Sequence, residues 1–222
     1  MRPFNGDKKG VPIIVCGLFL AISLAGVAPS GAAVKELFND SFAGAGTVTC
    51  VMGFAEAESA AAKLTADPGD YPYEIKKVRM LICPEPTSGF VILRIYEDNT
   101  GTVVPGPLLY EEIVQVTSSD IFLNEVDLSL QGIVISSGSV RVELEWYQAA
   151  PPGPGLARDL DGFTPNVNYI FINPPGMWVY ASDVGMMGDW ILRMEIETSA
   201  EAPLFADGFE SGDTTEWSVT SP

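Results

Sequence analysis

Beyond residue 70 the apolar residues of this chain recur with a period of two, and no stretch there keeps the 3.6-residue period of a helix. A period of two places alternate side chains on opposite faces of an extended strand, so the pattern commits the chain to sheets. In YEIKKVRMLIC (73–83) Val78, Met80 and Ile82 share one face, and FVILRIY (90–96) is apolar almost throughout, as expected of a strand buried on both faces. Strand-like runs follow at 108–116, 121–129, 132–136, 139–147, 167–173, 177–181 and 189–197. Turn signals such as DNTG, VPGP, SSG and NPPG separate them. Short strands punctuated in this way predict an all-β fold, an antiparallel β-sandwich of about 8–10 strands.

The region before residue 70 is less decided. GTVTCVM (46–52) reads as a strand, whereas FAEAESAAAKLTA (54–66) has the composition of a helix and an equal claim to be a strand. Between Tyr147 and Val167 runs QAAPPGPGLARDLDGFTPN, whose four prolines predict a stiff, unpaired connection.

The first 33 residues read as a secretory signal peptide: Arg2, Lys8 and Lys9, an apolar run from Val11 to Val27, and small residues suited to cleavage after Ala32 or Ala33. The run reaches only the lower limit for a bilayer span and carries Pro12. The expected layout is a signal peptide at 1–33, a β-sandwich at 34–199 and an acidic tail at 200–222, in a protein secreted or held in the periplasm or at the cell surface. Cleavage removes three cations and one anion, taking the formal charge from −17 to −19. Such a surface disfavours nucleic acid and anionic lipid, and no membrane span is expected after cleavage. Only Cys50 and Cys83 remain, and an even pair in an exported chain predicts a disulfide.

SSGSVRVELEW, DLDG, NVNYIFIN, MWVY and GDWILRMEIE together resemble a jelly-roll-type module of secreted bacterial proteins, mostly of unassigned function. The likeness spans about Tyr71 to Thr198. It implies a jelly-roll-like sandwich and an extracellular location, and little chemistry. The segment DGFESGDTTEW resembles one found in secreted bacterial proteins, sometimes at the extreme C-terminus. It suggests a recognition tag built on Asp207, Phe209, Glu210, Asp213 and Trp217; a loosely attached tail is the competing reading. LFADGF (204–209) also echoes LFNDSF (37–42).

There is no histidine, which removes every Ser–His and Cys–His scheme and the usual zinc sites. No catalytic residue is assigned and the chain is read as a non-enzyme. Its closest approach to a catalytic pair is Glu143 and Glu145, about 7 Å apart along one strand face. That face, with Arg141 and Tyr147, reads as solvated, and Val142, Leu144 and Trp146 as buried. Asp159 and Asp161 before Gly162 are the metal candidates, with Asp183 and Asp189 as helpers. Calcium is the only cofactor they suggest, and an Asp–Gly turn is the competing reading. With a turn at Asn173–Gly176, Phe171 falls opposite Trp178 and Tyr169 opposite Tyr180, four aromatics on one face. They form either a sugar-stacking platform or core. The functional expectation is an exported, non-catalytic protein that binds a surface glycan or a partner protein, with a carboxylate-dependent carbohydrate hydrolase as the alternative.

Overall fold

The computed structural model describes residues 32–44, 48–84, 88–147 and 153–198. The signal-peptide segment through residue 31 and the whole C-terminal tail, with its five candidate tag residues, lie outside the described residues. Among those described there are no α-helices. Fifteen strands run in chain order: β1 (Ala33–Leu37), β2 (Val48–Val51), β3 (Ser59–Thr65), β4 (Tyr73–Met80), β5 (Ile82–Cys83), β6 (Ser88–Glu97), β7 (Leu108–Thr117), β8 (Asn124–Asp127), β9 (Val134–Ile135), β10 (Ser139–Trp146), β11 (Gly155–Asp159), β12 (Asn168–Ile172), β13 (Met177–Tyr180), β14 (Asp189–Trp190) and β15 (Leu192–Thr198). They outnumber the eight to ten expected because two-residue pieces such as β5, β9 and β14 pair separately.

All strand pairings are antiparallel. One sheet runs β1-β15-β4-β8 with β9 also on β4, and a second runs β13-β12-β3-β10-β6-β7. They share one core: Ile75, Val78 and Met80 from the first meet Leu64, Leu93 and Val142 from the second. This is a β-sandwich, and burying alternate apolar side chains from both sheets is its main source of stability. The alternation in β4 slips by one residue at Lys76–Lys77. A bulge opposite Glu195 and Ile196 absorbs the slip, so Ile75 and Val78 both point inward.

Within 54–66, Ser59–Thr65 resolves as strand. Ala60, Ala62 and Leu64 of β3 face the core while the strand is paired on both sides, by β10 and by β12. A central position with a partner on each edge outweighs the helical propensity of alanine.

Three expectations are corrected. The Pro-rich connection is not unpaired throughout: Gly155–Asp159 forms β11, the middle of a third sheet ordered β14-β11-β2, with β5 also on β11. Pro154 and Pro165 bracket a proline-free GLARD, which keeps every amide it needs for pairing. Strand β6 is buried on one face only: Val91, Leu93 and Ile95 are inside, while Ile92, Arg94 and Tyr96 are partly exposed. The charged face of β10 is solvated only at its C-terminal end: Arg141 and Glu143 are 0% and 2% exposed, whereas Glu145 is partly exposed and Tyr147 exposed.

Cys50 and Cys83 are bonded, with Cα atoms 5.7 Å apart. Cys50 pairs with Ala157 and Cys83 with Gly155, so the bridge ties two strands already laid against β11. Gly155 has to be glycine, because a Cβ there would sit 2.2 Å from the carbonyl oxygen of Val51. Phe42, Leu81, Cys83, Ala157 and Ile191 form a small second core around it.

Candidate functional site

The two sheets present very different outer faces. That of the β1-containing sheet is knitted by ion pairs: Arg79 binds Glu36, Glu125 and Glu195, and Arg193 binds Glu36 and the buried Asp40. The outer face of the six-stranded sheet carries aromatics and surplus acids.

Register arranges that second face into two ladders. One runs Tyr180–Tyr169–Ala61–Glu143–Arg94–Glu111 across β13, β12, β3, β10, β6 and β7. The next runs Trp178–Phe171–Ser59–Glu145–Ile92–Ile113 across the same strands. From Trp178 to Ile92 is four strand spacings, roughly 19 Å at about 4.8 Å each. That matches a short oligosaccharide, or about six residues of extended peptide.

At one end stand the four expected aromatics, in the expected register. Tyr169 and Tyr180 approach to 5.2 Å between ring centroids, and Phe171 and Trp178 to 5.4 Å. Tyr169 is buried; Phe171, Trp178 and Tyr180 are partly exposed. The Arg141 guanidinium lies 3.6 Å from the Tyr169 centroid and 5.4 Å from that of Trp178. It also donates Nε and Nη2 to Asp98 and Nη1 to the Val103 carbonyl. Ala61 and Ser59, both fully buried, leave room for these long side chains to fold over the strand between them. Burial pushes the Tyr169 hydroxyl up to about 12, with Arg141 pulling the other way.

In the middle, one arginine serves three carboxylates. Arg94 donates Nε to Glu111 at 2.5 Å, and Nη1 to Glu145 at 2.5 Å and Glu143 at 3.3 Å. Glu143 Oε1 also accepts from Ser59 Oγ, while its buried Oε2 makes no hydrogen bond. Burial pushes the Glu143 carboxyl above its ordinary value, against the opposing influence of Ser59, Tyr96 and Arg94. An open cleft of ≈ 440 Å³ adjoins this group, lined by Glu56, Ala57, Ile92, Glu145, Trp146 and Tyr147. Ala57 holds a positive φ of 63°, pinned by its N–H on the Trp146 carbonyl, and Glu56 beside it is exposed.

The metal candidates are placed otherwise. Asp159 accepts from Ser41 N–H and Oγ and from the Asp161 N–H, an Asx turn over the DLDG segment. Burial acts to raise its carboxyl, and those donors overcome it, leaving it below its ordinary value. Asp189, opposite Asp159 in β14, accepts from Thr164 and Asn168. Among the described residues no group of three or more His, Cys, Asp or Glu is arranged to hold a metal ion, and no helix is long and apolar enough to cross a membrane.

Sequence reasoning picked out the aromatics and the two acids separately. It missed Arg94, Tyr96, Ser59, Ala61 and Glu56, and that all share one face. The alternation of each strand was a usable signal; the order of strands across the sheet was not readable locally. Comparisons with protein-family models, with curated proteins and with solved structures find no match.

Proposed function

We propose that this is an exported, non-catalytic binding protein whose ligand, a surface glycan, lies along the outer face of the six-stranded sheet. The observation that carries the reading is the ladder itself. Partly exposed Phe171 and Trp178 are followed, two strands on from Phe171, by Glu145 and Glu143, and one strand further by Arg94, which hydrogen-bonds both. Flat rings suit the apolar faces of sugar rings, and fixed carboxylates suit their hydroxyls. A partner protein would use the same face, and the glycan reading is preferred for the combination of ring and carboxylate.

A carboxylate hydrolase is the second reading, favoured by one feature: buried Glu143, held toward its neutral form, beside Glu145. A glycan array read beside a chromogenic glycoside panel separates the two. Binding without turnover supports the first, and turnover lost in Glu143→Gln supports the second. Export rests on the N-terminal 33 residues, and a tag role for the tail on Asp207–Trp217.

A further inference from the structure

The outer face of the six-stranded sheet is unbalanced in charge where the aromatic ladder meets the cleft. Arg94 is the basic partner of Glu111, Glu143 and Glu145, so one positive charge answers three carboxylates. Arg141, the other guanidinium of the face, is committed to Asp98. Glu56 adds a fourth acid on the cleft wall, facing Ile92 and the half-exposed ring of Tyr147. Glu143, on the same strand face as Glu145, is 2% exposed and lies behind the cleft wall, tied to Ser59 and Arg94.

We propose that the glycan bound here is an amine-bearing one, a polysaccharide of amino sugars, with its ammonium groups set between Glu145 and Glu56 against the Tyr147 ring. The inference rests on the glycan reading above and adds the ligand's charge. A protonated amine gains from two carboxylates and from an aromatic face at once, whereas a uronic acid would meet surplus negative charge. Sugar rings next to the amine would stack on Phe171 and Trp178, within the ~19 Å between Trp178 and Ile92.

The test is calorimetric titration of the mature protein with hexamers of chitosan, chitin, cellulose and polygalacturonate. Chitosan is expected to bind about tenfold tighter than chitin, which differs by acetylation of the amine, and polygalacturonate not at all. Glu145→Gln and Glu56→Gln should each weaken chitosan several-fold and leave chitin unchanged. Glu56 is exposed, so its variant folds irrespective of the buried network. Asp127→Asn on the other sheet, of equal charge change, should have little effect. Equal binding of chitin and chitosan, both lost in Trp178→Ala, would overturn the amine inference and leave the glycan reading standing. Chitosan binding indifferent to Glu56, Glu145 and Trp178 would be bulk attraction to an acidic protein and would overturn the inference. Binding of none of the four hexamers would overturn it as well, together with the glycan reading on which it rests.

Discussion

Arg141 stacks on Tyr169, guanidinium carbon 3.6 Å from the ring centroid, while its nitrogens bind Asp98 on a different strand connection. Neither partner of the ion pair is more than 1% exposed. The contact fixes the aromatic hairpin to β10 and thereby joins the two halves of the outer face.

Removing one partner of such a pair strands the other as a buried charge, so Arg141→Met should cost about 3–5 kcal/mol. Arg141→Met with Asp98→Leu should recover a good part of that loss. Denaturant unfolding of the two singles and the double gives the coupling directly. Losses that simply add would show that Arg141 and Asp98 are not coupled.

Glu143 makes stability depend on pH in a direction opposite to most carboxylates. Its carboxyl is raised in the folded state, so as pH climbs past the ordinary value of 4.5 the unfolded chain ionises first. Stability contributed by this group is therefore present at low pH and declines with rising pH, levelling off once the folded carboxyl has also ionised. Glu143→Gln should flatten that decline above pH 4.5, read as melting temperature against pH. An unaltered slope in the variant would assign the pH dependence to other groups.

Some of this was legible in the chain and some was not, for physical reasons. Val142, Leu144 and Trp146 were placed on the core side of β10 correctly, because side-chain alternation is local. That the opposite face would be buried was not legible. Burial there depends on Ala61 and Ser59 across one edge, Arg94 across the other, and Tyr169 one strand further. The aromatic hairpin was readable because its turn, Asn173–Gly176, fixes its own register. Strand β11 was hidden by the prolines on either side of it, and the alanine-rich β3 by a propensity that its two neighbours override.

The Cys50–Cys83 bridge closes a loop of sequence separation 33 and should contribute about 3–4 kcal/mol. Reduction should lower the unfolding free energy by about that amount while leaving the β spectrum intact, since the main sandwich core lies outside the bridge. Gly155→Ala should also destabilise, by steric conflict with Val51, even with the bridge intact. Two freely alkylated thiols in native protein would contradict the pairing.

Deleting 206–222 should leave the melting temperature within a few degrees, given how few apolar groups the segment has beyond Phe209 and Trp217. If the tag proposal holds, the deletion changes how the protein divides between cell surface and medium. A large melting loss would make the tail structural, and an unchanged division would remove the tag.

The central claim is that the outer face of the six-stranded sheet is the binding surface, and Trp178 tests it most directly. Affinity electrophoresis through gels carrying a panel of polysaccharides should retard the mature protein in at least one gel. Trp178→Ala should migrate freely in that gel with a native circular dichroism spectrum and melting temperature. Retardation that survives the substitution, or a wild-type protein retarded by none, would contradict the account.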